Sequence, residues 1–386
     1  MRNPVVFPIS RVFWTDKIEG KMRKLFTKIH LWLSVPFGII IAIVCLTGAI
    51  LVFEQEILWV CYPSRYYVEE VKGEPLPVGE LILAGRRQLP DSIKINGIRI
   101  YPDPARTYQL VLPGKKAAAF IDPYTGQVTG VDDGRGFFMQ VMRLHRWLLD
   151  TNKRDGGIAW GKMIVGYSTL AMAVILLSGL VVWFPRNRKV LKNRLKVKLG
   201  ASRFRFWYDL HVAGGFYAAL LLLALTLTGL TWSFGWYRNA FYQVFGVTAT
   251  PSKAHAQTPK SPAGQGERRE RQPDYACWET VLSTLKGEYA DFNSIPIQNG
   301  EATVSTADYG NTRGSDRYAF DPKSGEITGR QLYKDLPDSG KIRGWIYSVH
   351  AGTWGGTATR ILSCLASFMG AVLSLTGYYM WLKRRR

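Results

Sequence analysis

Cysteine and histidine are both scarce, at four and five of 386 residues. No Cys-x-x-Cys pair occurs, which removes ribbon-type zinc and thioredoxin-like chemistry. Without Cys-x-x-Cys-His there is no covalent attachment of haem either. No Gly-x-Gly-x-x-Gly fingerprint between a strand and a helix and no Walker loop appears, so NAD(P)H or flavin chemistry would need a separate protein. Charged residues make up only 20% of the chain against 47% hydrophobic, which excludes a disordered chain. Acids are the rarer sign, 29 against 50 Lys and Arg, leaving a formal charge of +21. In a soluble protein that balance points to nucleic acid, so the location of the charges decides its meaning.

What the sequence does have is long uncharged runs. Residues 31–53, 163–184, 212–236 and 361–382 carry no charged side chain over 22 to 25 positions. Each crosses a hydrocarbon core of about 30 Å as a helix. Lipid cannot satisfy backbone polar groups, so helix is the form these runs must take. Four transmembrane helices are expected. The first is followed by Glu54-Gln55-Glu56 and shows no small-residue cleavage pattern, which predicts a retained anchor rather than a signal peptide. Leu58-Trp59-Val60-Cys61 is a poor lipidation site because a bulky Val precedes the Cys.

The charge then sorts by segment. Residues 1–30, the loop 185–211 and the tail 383–386 together hold +17 of the +21. By the positive-inside tendency these segments are cytoplasmic, so both termini are expected there. The long segments 54–160 and 237–357 then lie on the other face, nearly balanced, since only +4 is left for the rest of the chain. Short basic loops beside spans need no partner beyond anionic lipid, and a nucleic-acid partner is not expected.

The two halves of the chain resemble each other. Ile29-His30 leads to Leu46-Thr47-Gly48, and Leu210-His211 leads to Leu227-Thr228-Gly229 at the same spacing. Outside the spans, Asp122-Pro123-Tyr124-Thr125-Gly126 matches Asp321-Pro322-Lys323-Ser324-Gly325, each reading as a hairpin turn with Pro fixing φ and Gly supplying a positive φ. Ser178-Gly179 matches Thr376-Gly377, and Gly156-Gly157 matches Gly355-Gly356. The expected fold is an integral membrane α-helical protein of two tandem repeats, each a helix, a small extracytoplasmic α+β domain and a second helix, related by a pseudo-twofold along the membrane normal. In the first outer domain a helix is predicted over 78–88 and strands over 93–95, 98–100 and 108–112. In the second a helix is predicted over 275–286, after a Pro-, Gln- and Gly-containing linker at 250–273.

Four of the five histidines occupy matching places beside the spans. His30 and His211 stand at the cytoplasmic ends of the first and third helices, His145 and His350 before the second and fourth on the outer side. One histidine at a helix end is more often a capping or interfacial residue; four in a duplicated pattern argue for function. Under the pseudo-twofold His30 meets His211 and His145 meets His350, and facing neutral imidazoles suit the axial positions of b-type haem. The recurring Thr-Gly and Ser-Gly pairs leave room for a flat macrocycle, although small residues also serve ordinary helix packing. Eleven residues separate His145 from Gly156 but five separate His350 from Gly355, so these two histidines are placed on short interfacial helices with the glycines as bends. Zinc or copper at the outer pair stays open. Trp147, Trp160, Trp232, Trp236, Trp345 and Trp381 read as an aromatic belt, His255 as incidental in the linker. Cys61 and Cys277 share the outer side, and nothing in the sequence says whether they pair.

The four spans with histidines at their ends, the Leu144-His145-Arg146-Trp147 motif and the duplicated Asp-Pro turns resemble the PepSY-associated transmembrane family of bacterial inner-membrane proteins, over nearly the whole chain. The resemblance, which includes ferric-siderophore reductases, implies two PepSY-like outer domains and two haem b, with His30, His145, His211 and His350 as axial ligands. It implies electron transfer outward, from a quinol or a cytoplasmic NAD(P)H- or flavin-dependent reductase, to an iron(III) chelate in the periplasm, with release of iron(II). Arg143, Arg146, Lys341 and Arg343 are candidates to meet an anionic chelate or the haem propionates. Two other classes remain: a PepSY-type peptide-binding regulator anchored by its spans, and a transporter of haem or metal.

Overall fold

The computed structural model describes residues 16–114, 116–150, 157–185, 187–248 and 275–385. The expected linker 250–273 and the Asp155-Gly156 bend lie outside the described residues, as does the first half of segment 1–30. In chain order, α1 (Asp16–Val52) is followed by α2 (Glu54–Cys61), α3 (Pro63–Tyr66) and α4 (Val78–Gln88). Four strands come next, β1 (Gly97–Ile100), β2 (Tyr108–Val111), β3 (Ala118–Ile121) and β4 (Val128–Asp132). After them run α5 (Phe137–Trp147), α6 (Trp160–Trp183), α7 (Arg188–Arg194), α8 (Arg203–Asp209), a π-turn (Leu210–Gly214), α9 (Gly215–Ser233) and α10 (Gly235–Val244). The chain then forms α11 (Ala276–Glu288), β5 (Ile295–Gln298), β6 (Glu301–Ser305), β7 (Ser315–Phe320), β8 (Ile327–Gln331), α12 (Asp338–His350) and α13 (Gly356–Arg385).

Four helical stretches are long and apolar enough to cross a membrane: Gly20–Val52, Trp160–Trp183, Arg203–Ser233 and Thr353–Arg384. They overlap the four uncharged runs but differ at their ends. The first and third begin about ten residues earlier than the apolar run, because charged residues such as Lys21, Lys24 and Arg205 continue the helix beyond the stretch that hydropathy detects. The third ends at Ser233 rather than 236, since Phe234 adopts an extended conformation (φ −124°, ψ 126°) and Trp236 starts a separate helix.

The chain divides into two compact units. One gathers the membrane-length helices: the chain up to Ala49, Leu144–Ser233 and Ser363 onward. Its apolar centre contains Ile41 and Cys45 of α1, Met172 of α6, Ala218 and Leu222 of α9, and Ala366 and Ala371 of α13. Residues 144–150, expected with the first outer domain, cluster with these helices.

The other unit, Ile50–Arg143 with Phe234–Leu362, contains every strand among the described residues. The two small domains expected from the sequence are joined into a single eight-stranded antiparallel sheet, ordered β4-β3-β2-β1-β5-β6-β7-β8. The seam is β1 against β5, with Ile98 opposite Ile297 and Gly97 opposite Gln298. A Cβ on Gly97 would stand 2.5 Å from the Ile297 carbonyl oxygen, so glycine is what lets the two halves pair at this point. Helices α4 and α11 cover one face: Leu81 and Ile82 meet Trp278, Val281 and Leu285 over Ile98, Leu110, Ile297 and Phe320. Glu279 of α11 accepts a hydrogen bond from the Val78 amide at the start of α4 (2.8 Å), tying the two helices together.

Both Asp-Pro turns form as expected. Asp122 Oδ1 accepts from the Tyr124 amide and Asp321 Oδ1 from the Lys323 amide, at 2.8 and 2.7 Å. Gly126 and Gly325 take φ of +69° and +73°. The strand expected at 93–95 does not form; Ile95 packs into the core from a loop, and the first strand begins at Gly97. The helix of 275–286 runs from Ala276 to Glu288.

Candidate functional site

Among the four membrane-length helices, His30 sits mid-helix on α1 and His211 inside the π-turn before α9. A π-turn inserts one residue into the helical repeat and so re-aims the side chain it carries. The two imidazole rings come together, with centroids 6.4 Å apart and planes at 87°.

Each ring is held by a neighbouring helix. His30 Nδ1 is 3.0 Å from the Ile175 carbonyl of α6, with Ser178 Oγ at 3.4 Å. A carbonyl can only accept, so Nδ1 carries the proton and Nε2 presents its lone pair. His211 Nδ1 is 2.9 Å from Thr376 Oγ1 of α13, and the Leu373 carbonyl also hydrogen-bonds this ring. Thr376 gives its own proton to the carbonyls of Val372 (2.8 Å) or Leu373 (3.1 Å), so it accepts from Nδ1 and again leaves Nε2 bare. Next to each hydroxyl lies a glycine. A Cβ on Gly179 would sit 3.1 Å from His30 Cε1, and one on Gly377 3.6 Å from His211 Cε1.

His145, in the last turn of α5, repeats the arrangement a third time. Its Nδ1 lies 3.0 Å from the Val44 carbonyl and 3.1 Å from Thr47 Oγ1 of α1. A Cβ on Gly48 would stand 3.2 Å from His145 Cε1. Burial, with a smaller push from Arg146, holds the ring below the ordinary histidine range and therefore neutral. All three cradles read the same way along the helix: a carbonyl, a hydroxyl three residues on, and a glycine one further. Thr228 and Gly229 stand in that spacing from Leu225, whose carbonyl accepts from Thr228 Oγ1 at 3.0 Å.

His350 belongs to the sheet-containing unit, as the final residue of α12, half-buried, just before Gly352 in left-handed conformation (φ +72°). Ser348, two residues earlier, is fully buried and accepts from the Thr312 amide at 3.1 Å. His145 and His350 therefore both end short helices ahead of membrane-length ones, as the sequence predicts.

The separation of His30 and His211 can be compared with that of two imidazoles on one metal. A metal–imidazole bond of about 2.0 Å places each ring centre about 3.2 Å from the metal, so opposed ligands have centres about 6.4 Å apart. The Ile175 and Leu373 carbonyls fix the tautomer and orientation of the two rings. The glycines let each imidazole ring pack close against the neighbouring helix. Among the described residues no group of three His, Cys, Asp or Glu side chains could hold a metal ion. A family model, the PepSY-associated TM region, matches residues 27–384.

The chain belongs to the PepSY-associated TM family. No curated protein gives a match. In this PepSY-associated TM protein the family region takes in all four membrane-length helices and the sheet between them in sequence.

Three features were not read from the sequence. The carbonyls of Val44, Ile175 and Leu373 are invisible as residue types, yet the spacing back from each Thr-Gly or Ser-Gly marks them. Trp183 stacks on Phe216 with centroids 3.9 Å apart, bracing α6 against α9 near the histidines. Arg23 and Arg194 both donate to the Val182 carbonyl at the end of α6, at 2.7 and 3.2 Å. That pairing places two guanidinium groups on the negative end of the helix dipole. No disulfide joins Cys61 to Cys277, and Cys277 is buried, its thiol donating to the Pro322 carbonyl at 3.2 Å.

Proposed function

We propose that this protein is a b-type dihaem reductase of the bacterial inner membrane. It passes electrons outward to reduce a ferric siderophore or another iron(III) chelate and releases iron(II). The single observation that carries this reading is the His30–His211 pair, 6.4 Å between ring centres, each with its Nδ1 engaged by a neighbouring helix. His30 and His211 are the proposed axial ligands of the inner haem, and His145 and His350 those of the outer one. Haem b supplies one-electron transfer, and two imidazoles leave no open iron position for oxygen chemistry.

The chain's own residues hold and orient. The carbonyls of Ile175 and Leu373 keep each Nδ1 protonated, so the lone pair at Nε2 is always available. Apolar residues of the four helices, among them Ile41, Met172, Leu222 and Ala371, form the centre of this unit. The duplication inferred from the sequence is supported by the sheet, in which each half supplies one covering helix and four antiparallel strands about the β1–β5 seam. Direction follows from the basic short segments, which on the positive-inside tendency put His30 and His211 on the cytoplasmic side.

Purified protein is expected to contain two haems per chain. His30→Ala or His211→Ala is expected to lose one of them, read as half the absorbance per protein in a reduced-minus-oxidised spectrum. A full haem complement in both variants would remove these histidines from the site, and a colourless wild-type protein would favour the anchored regulator.

A further inference from the structure

An arginine without a carboxylate stands in the sheet-containing unit, on the loop 101–107 between β1 and β2. The Arg106 guanidinium lies over three aromatic rings, Trp59 of α2 at 4.7 Å, Tyr101 at 4.9 Å and Tyr67 at 5.3 Å from their centroids. Tyr67 also pairs with Arg106 in an isolated antiparallel bridge, which fixes the backbone that carries both side chains. Three rings hold a guanidinium in one orientation, yet they satisfy none of its N–H groups. Among the described residues no Asp or Glu pairs with Arg106, and no protein acceptor takes a hydrogen bond from its guanidinium. Asp103, on the same loop, turns its Oδ1 to the Ala105 amide instead (3.0 Å). Other arginines of this unit do find carboxylates: Arg65 meets Asp132 at 3.9 Å, Arg330 meets Glu288 at 2.7 Å, and Arg360 meets Glu56.

Two further donors are in the same condition. The indole Nε1 of Trp59 and the Nε of Arg99, like the Nε of Arg106, are enclosed without an acceptor. Arg99 lies on β1 two residues before Tyr101, so their Cα atoms are at most about 7 Å apart. Its strand neighbours Ile98 and Ile100 take the side covered by α4 and α11, which turns Arg99 to the other side of the sheet. Enclosed hydrogen-bonding groups are normally paired, and donors left together with no unpaired acceptor among them call for an acceptor from outside. The terminal nitrogens of both guanidinium groups are not among the enclosed atoms and are open to such an acceptor. The hairpin does not need the loop that carries Tyr101 and Arg106. In the other half of the sheet β5 and β6 are joined by two residues, Asn299 and Gly300 (φ +81°), where β1 and β2 are joined by the seven of 101–107.

We propose that Arg106 and Arg99, framed by Trp59, Tyr67 and Tyr101, form a binding site for an oxyanion, the carboxylate or phosphate group of a small anionic molecule. A guanidinium offers two parallel N–H groups to two oxygens of such a group, and a charge-assisted pair of this kind is short and strong. A surface arginine ordinarily loses side-chain freedom when it binds. Here the rings have already removed that freedom, so less of the attraction is spent on ordering the side chain. Lysine cannot take the place of Arg106, because an ammonium has neither the plane that stacks on the rings nor the fork that matches two oxygens. Carboxylate and phosphate share this chemistry, and binding moves no proton or electron. The site does not rest on the haem reading.

Equilibrium dialysis of the full-length protein in detergent tests this at low ionic strength, against labelled citrate and, separately, labelled inorganic phosphate. One saturable equivalent of at least one of the two is expected, and the one that binds gives the class of the oxyanion. Arg106→Gln and Arg106→Lys should each weaken that affinity at least about tenfold, the second although it keeps the charge. Arg87→Gln, at an exposed position of α4, should leave it unchanged. Folding of each variant is checked by its melting curve, and should the Arg106 variants fail to fold, Arg99→Gln decides by the same loss. The assignment is overturned by the absence of saturable binding of either anion in the wild type, or by unchanged affinity in a folded Arg106 variant or, in their place, in Arg99→Gln. An equal loss in Arg87→Gln also overturns it, since that would mark attraction by net charge alone.

Discussion

At the scale of the residue, an imidazole becomes a ligand through what holds its other nitrogen. His30, His145 and His211 each rest Nδ1 against a helix carbonyl or a hydroxyl that is already donating to one. The glycine beside each ring sets how much can be added there. Gly179→Ala would press a methyl group to 3.1 Å from His30 Cε1, tighter than ordinary van der Waals contact, whereas Gly377→Ala meets His211 at 3.6 Å. Gly179→Ala is therefore expected to shift the reduced spectrum or potential of one haem, and Gly377→Ala to leave both unchanged; equal effects of the two would contradict the packing. The histidines and the Thr-Gly pairs were legible because their residue types repeat. The carbonyls that fix the tautomer were not, since every residue has one and only the packing of α6 against α1 selects Ile175.

At the scale of the element, the Asp-Pro turns and the helix over 78–88 were readable because Pro and Gly act locally. The β1–β5 seam was not, because pairing between strands about two hundred residues apart leaves no local mark beyond one glycine. Gly97→Val would drive side-chain atoms into the Ile297 backbone and is expected to destabilise the sheet by about 3 kcal/mol, measured by thermal unfolding. A second element-level contact links α2 to the start of α13, where Arg360 is bound by both oxygens of Glu56 and donates to the Val52 carbonyl at 2.6 Å. The guanidinium hydrogen bond holds the Glu56 carboxyl below its ordinary value. Its contribution is thus full above the unfolded value of about 4.3 and is lost as pH falls through the lower folded value. Acid unfolding should begin at higher pH in Arg360→Gln than in wild type, and identical acid transitions would show that the pair contributes nothing.

At the scale of the whole molecule, the four spans and their basic flanks were the plainest signal, because lipid imposes length and charge rules on any sequence. What composition could not convey is that the two long segments between spans build one sheet, a property of pairing rather than of residue type. Of the net charge of +21, +17 lies in three short segments beside the spans, the distribution that the positive-inside tendency ties to topology. If those segments are cytoplasmic, Cys61, the exposed one of the four thiols, faces the periplasm. A membrane-impermeant maleimide should then label intact spheroplasts at Cys61, and Cys61→Ser should abolish the labelling. Labelling that requires lysis would reverse the topology and with it the proposed direction of electron flow.

The central claim is that paired histidines in this membrane bundle hold haem b. The most direct measurement is a reduced-minus-oxidised spectrum of purified wild type and His211→Ala, with haem quantified against protein. The account predicts two haems per chain falling to one. A wild type without haem, or a variant that keeps both, would contradict it.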